Sequence, residues 1–263
     1  MNNFSAPVSS NFHSLVDWFA LSGVTYEVAE RTAFETTQQL RNEKLAEILS
    51  ETPAAQPAKP LTKAPAPVKT MAMPEFNNLE ELNNFFKTFR DLGLCKTASS
   101  SVIGVGSLTP RLMVITDSPE DQEDRSGLAF SGSSNQMIRK ALGHAGIDES
   151  DIYYTYLSKW RTPGKRALTP QEVDVCHALL QQEIKLLRPA AILTLGESTL
   201  KALWPDSLTN GNKIPFINSY TNQHLNSETP FFASQKSEFL VKNALTKKTF
   251  WFGLLEFAGT IRT

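Results

Sequence analysis

The chain has 263 residues, 41% hydrophobic and 20% charged, with a formal net charge of −1. That is globular composition, long enough for one substantial core plus an appendage, and it excludes a chain that is basic throughout; affinity for anions must come from local clustering. The two cysteines, Cys95 and Cys176, lie far apart and outside any CxxC pattern, which excludes a disulfide scaffold and points to a reducing compartment.

From the N-terminus, MNNFSAPVSSNFHSL lacks a basic start followed by an apolar core, so no secretion signal is expected and the cytoplasm is the expected location. No apolar run approaches the roughly 20 residues that span a bilayer. The stretch NFHSLVDWFALSGV sets Phe12, Leu15, Val16, Phe19 and Leu21 near one helical face, and a second helix is predicted from about Phe34 to Ile48. These helices form an extension over 1–50 that could dock on the main domain or on a protein partner. Residues 51–75 are rich in Ala, Pro, Lys and Thr and read as a semi-rigid linker.

The pattern changes over 76–263, read as one domain. NNLEELNNFFKTFRDL is an amphipathic helix. RLMVIT (111–116) is a continuous apolar run, as a buried parallel strand requires. SSNQMIRKALGHAG is helical, DIYYTYL (151–157) is a second strand, and PQEVDVCHALLQQEIKLLRP is a long helix. Thr169 is its predicted N-cap, with Pro170 first in the helix and Glu172 three residues after the cap. AAILTLG (190–196) is a third strand, ESTLKALW a further helix, and PFFAS (230–234) a short fourth strand before the last helices. This alternation predicts an α/β fold, a three-layer α/β/α sandwich around a mostly parallel four-stranded sheet. Ligands of such sheets sit beyond the C-terminal strand ends.

Those ends are Thr116–Glu120, Tyr156–Arg161, Gly196–Glu197 and Ser234–Lys236. TDSPEDQEDRSGLAFSG (116–132) presents Asp117 at a strand tip. It is either a solvated acidic loop or a carboxylate that orients water or stabilises a developing cation. Phe130, between small residues, is either a core ring or a stacking face for a planar ligand. SKWRTPGKRAL carries Lys159, Arg161, Lys165 and Arg166 on a chain stiffened by Pro163 and Gly164. It is either a solvated connection or a grip on phosphate, since side-chain charge and unpaired backbone N–H groups coincide there. Trp160 could simply cover the sheet edge. Of the four histidines, His13, His144 and His177 sit in helical patterns, and only His224 lies in a loop near the rim. Gly196–Glu197 lacks the glycine pattern of a dinucleotide site.

Taken together, RLMVITDSPEDQEDRSGLAFSGSSNQMIRKAL, IYYTYLSKWRTPGKRALTPQEVDVC and PAAILTLGESTLKAL resemble bacterial uracil-DNA glycosylases of the family-4-like group in order, spacing and loop type. The likeness covers Leu92–Leu203 and continues more weakly through TPFFASQKSEFLVKNALTKKTFWFGLL. It implies an enzyme that flips a nucleotide out of DNA and breaks its glycosidic bond through a cation-like sugar.

The resemblance also implies roles at matched positions. Where the family carries GEAPG, this chain has TDSPE, so Asp117 keeps a carboxylate, Ser118 lies beside the base, and Glu120 replaces a glycine. Phe130 matches the ring that stacks the base. Tyr156 replaces the Asn that reads the base edge, and a phenol does not reproduce an amide's donor and acceptor pair. The family's HPAY maps to Gln235–Glu238, which puts Gln235 where a His would stabilise the departing base. Asp117 and Gln235 are thus the implied catalytic pair, Ser118, Phe130 and Tyr156 the base contacts, and Lys159, Arg161, Lys165 and Arg166 the phosphate contacts. Several relatives hold a four-iron four-sulfur cluster on four cysteines. Here Trp160 stands at one of those positions and only Cys95 and Cys176 match, so no cofactor is expected. The expectation is a monomeric, DNA-binding family member with weakened or altered excision. The alternative is a catalytically inactive DNA- or protein-binding module.

Overall fold

A computed structural model describes residues 74–204, 216–222 and 227–262. The helices expected within 1–50, the linker up to residue 73, His13 and His224 lie outside the described residues.

One sheet organises the rest. Its strands are β1 (Val105–Gly106), β2 (Leu112–Thr116), β3 (Ile152–Tyr156), β4 (Ala191–Leu195), β5 (Phe216–Asn222) and β6 (Ser227–Ser234), in the order β1-β3-β2-β4-β6-β5. The inner four are parallel, with Thr116 level with Tyr156 on one side and Leu195 on the other, and Leu195 level with Ser234. These are the four strands the sequence predicts. The sheet gains an antiparallel strand at each edge. Two-residue β1 has no apolar run to announce it. Gly106 lets it approach β3, because a Cβ there would lie 2.1 Å from the Ile152 carbonyl oxygen.

β2, β3 and β4 are buried along their whole length because the sheet is covered on both faces. Alternation along each strand sorts the side chains into two cores. Val114, Tyr154, Tyr156, Leu193 and Phe232 pack on one face against α4 (Ser133–His144) and α8 (Ala244–Arg262). Met113, Ile115, Tyr153, Ile192 and Ala233 pack on the other, against α1 (Leu79–Thr88), α5 (Pro170–Leu187) and α6 (Glu197–Leu203). Short helices α2 (Leu94–Thr97), α3 (Asp121–Ser126) and α7 (Ser237–Lys242) complete the described fold. The start of α5 is the predicted capping box: Glu172 N–H donates to Thr169 Oγ1 at 3.3 Å and Thr169 N–H donates to Glu172 Oε2 at 2.8 Å. Among the described residues, no helix is long and apolar enough to cross a membrane.

Candidate active site

The parallel strand ends open on a cavity of about 120 Å³. Asp117 and Ser118 enter it directly from β2, the Arg161–Leu168 loop forms one wall, and Lys236–Glu238 leave β6 on the other side. Four carboxylates (Asp117, Glu120, Asp121, Glu238) and four cations (Arg161, Lys165, Arg166, Lys236) line it, so the rim is balanced rather than cationic.

Asp117 is almost fully buried, and its bonds fix its position. Oδ1 accepts from the Thr199 N–H at 3.0 Å and from the Thr199 hydroxyl, both in the first turn of α6. Oδ2 forms an ion pair with Lys236. Gly196 makes room for this arrangement. Its φ is +114°, and a Cβ there would lie 3.0 Å from both Asp117 Oδ1 and Lys236 Cγ. Glu120 is half-buried on the same wall, and burial, with Glu123 and Glu238 nearby, pushes its carboxyl above the ordinary range.

Phe130 takes the core alternative, and neither it nor Tyr156 is placed as the resemblance implies. Both rings are 0% exposed and neither lines the cavity. Phe130 packs against Tyr154 and Tyr156 with ring centroids 4.9 and 5.4 Å away. Its φ of +54° is unusual for a bulky residue. Hydrogen bonds hold that turn: Phe130 N–H donates to the Tyr156 hydroxyl at 2.8 Å and Gln136 Nε2 donates to the Phe130 carbonyl at 2.9 Å. Burial, with Glu123 nearby, drives the Tyr156 phenol far above its ordinary pKa. In this conformation the two rings are core, and the stacking and base-reading positions assigned to them are closed.

The basic loop also requires correction. Lys159 does not face solvent. Its ammonium is 2.7 Å from Glu183 Oε2 and donates to the Thr155 hydroxyl and, at 3.0 Å, to the Tyr156 carbonyl. A lysine on the inward side of the loop finds its counter-charge on α5, so it is removed from the phosphate contacts. Arg161 pairs with Asp121 at 3.0 Å and Asp124 at 3.2 Å, Lys165 with Glu238 at 2.5 Å, and Arg166 with Glu172 at 2.6 Å. These three reach the cavity wall, each already neutralised. Arg166 holds the Glu172 carboxyl down to about 2. A depressed carboxyl stabilises the fold above its unfolded pKa, and that contribution disappears as pH falls through the folded value. The Tm gap between the parent chain and Glu172→Gln should therefore be constant near neutrality and close between about pH 4.5 and 2. A gap unchanged at pH 2 would refute the Arg166 assignment.

Gln235 is half-buried and is not among the cavity-lining residues, whereas the next residue, Lys236, touches Asp117. Lys236 and Thr199 are the site residues that sequence reasoning missed. The available signal was a cation at the tip of β6, one position past the aligned Gln.

Trp160 is buried against Phe86 and Phe89, and Cys176 lies in the same core with its thiol pushed up to about 12 by burial. An indole ring and two thiols do not form the donor set of a four-thiolate cluster. Among the described residues, no group of three or more His, Cys, Asp or Glu side chains is placed to hold a metal ion.

A family model described as the uracil DNA glycosylase superfamily matches residues 103–254. Among curated proteins, the chain is 31% identical over 126 residues to a type-4 uracil-DNA glycosylase of Pyrobaculum aerophilum, covering 48% of this chain and 64% of that protein. It is 31% identical over 99 residues to one of Thermotoga maritima (38% and 52%) and 29% identical over 119 residues to one of Archaeoglobus fulgidus (45% and 60%). The matches thus span less than two thirds of these relatives.

Proposed function

The chain belongs to the uracil DNA glycosylase superfamily, and from that premise we propose that it binds DNA and hydrolyses the N-glycosidic bond of an extruded uracil or related deaminated base. One observation carries this reading. A buried, bond-fixed carboxylate, Asp117, faces a cavity at the C-terminal tip of a central parallel strand, with cations and carboxylates paired around its lip. A carboxylate so held can stabilise the cation-like sugar without reorganising. The donor set around Cys176 supports a reaction without an iron–sulfur cluster.

The closed Phe130–Tyr156 pair supports weakened or altered excision, because a flipped base must either displace two packed rings or bind in front of them. The same closure favours a second reading, DNA binding without excision. In both, phosphates must compete with Glu238 and Glu172 for Lys165 and Arg166, which moderates affinity.

The test is an excision assay on single-stranded and duplex oligonucleotides carrying uracil or other deaminated bases, with binding measured against salt concentration. Excision supports the first reading, and salt-dependent binding without it supports the second. Exchanging Lys165 and Arg166 for Gln should flatten the log–log salt slope for single strands by roughly 1.4, at roughly 0.7 per lost phosphate contact. An unchanged slope would remove these residues from the groove.

A further inference from the structure

We propose that Lys236 is a catalytic residue of this site, its ammonium stabilising the negative charge that develops on the departing base. The proposal deepens the excision reading above and rests on it. Lys236 lines the cavity where Gln235 does not. Its side chain is 52% exposed, its stem packs over Gly196 and its ammonium is held by Asp117. Asp117 spends Oδ1 on Thr199 and turns Oδ2 to Lys236, so carboxylate and ammonium form a dipole in the cavity wall.

That dipole has the polarity the reaction needs. When the C1′–N bond breaks, its electron pair leaves with the base, which becomes anionic, and the sugar becomes cationic. Water then bonds to C1′ and releases a proton to solvent, and the base anion takes one up. Asp117 faces the positive half of this charge separation and Lys236 the negative half. A charged donor is roughly twice as strong as the neutral amide that Gln235 offers. The other lining cations are held by carboxylates distinct from Asp117.

The experiment measures single-turnover excision by the full chain and by Lys236→Gln and Lys236→Arg on oligonucleotides carrying uracil or 5-fluorouracil, whose anion is the better leaving group. Lys236→Gln should slow uracil release by about 10²-fold, the scale of one lost charge-stabilising donor. It should slow 5-fluorouracil release much less, and Lys236→Arg should recover much of the loss. A uracil rate within threefold of the parent chain overturns the proposal. So does an equal loss on both bases, since a merely structural role is blind to the leaving group. If the parent chain excises neither base, the excision reading itself fails, a result distinct from failure of the Lys236 assignment.

Discussion

Glu183→Ala should destabilise the protein by about 3–5 kcal/mol, the usual cost of stranding one partner of a buried ion pair. Glu183 is 0% exposed and accepts from Lys159 at 2.7 Å, the Tyr153 hydroxyl at 2.9 Å and the Thr155 hydroxyl at 2.9 Å. Alanine leaves a buried ammonium and two buried hydroxyls without that acceptor. The site would feel the loss, because Lys159 anchors the start of the basic loop and its carbonyl accepts from Val102 N–H at 2.8 Å. Urea denaturation gives the measurement. A double substitution, Lys159→Met with Glu183→Leu, should recover much of the loss, since a hydrophobic pair avoids the buried charge. A single-variant cost under about 1 kcal/mol would show that solvent reaches Lys159.

Asp117→Asn should lower uracil excision by about 10²–10³-fold while leaving the fold intact. The amide oxygen can still accept from the Thr199 N–H, so the start of α6 keeps its cap. What disappears is the negative charge that would face the sugar and hold Lys236. Single-turnover rates on a uracil-containing single strand, alongside thermal melts, separate the two effects. A rate within threefold of the parent chain would move the chemistry away from Asp117. A comparable rate loss with a collapsed melting curve would reduce its role to capping.

Phe130 and Tyr156 show how a closed pocket and a family fold coexist. Tyr156 lies at the end of β3, level with Thr116, and its hydroxyl reaches the backbone of the Phe130 turn. An asparagine at that position is too short to hold the turn in the same way. On the proposed reading, Tyr156 in place of the asparagine that the resemblance implies would change both the chemistry offered to a base and the conformation of the Phe130 loop.

The four apolar strands, the longer helices between them and the capping box at Thr169 could be read from the chain, because each leaves a local pattern: uninterrupted burial, 3.6-residue periodicity, or a cap three residues before its acid; the short helix α3 falls in a stretch read as a loop. The position of Asp117 at a strand end that opens on a cavity followed from the same parallel topology. Which charges meet could not be read this way. Lys159 with Glu183, Arg161 with Asp121 and Asp124, and Lys236 with Asp117 join residues far apart in the chain. No local signal separates a lysine turned into the core from one turned toward phosphate; that depends on the opposing element. Edge strand β1 and the closed Phe130–Tyr156 pair are likewise consequences of packing, one of a glycine that admits a neighbouring carbonyl, the other of a phenol hydroxyl meeting a backbone N–H across the sheet's end.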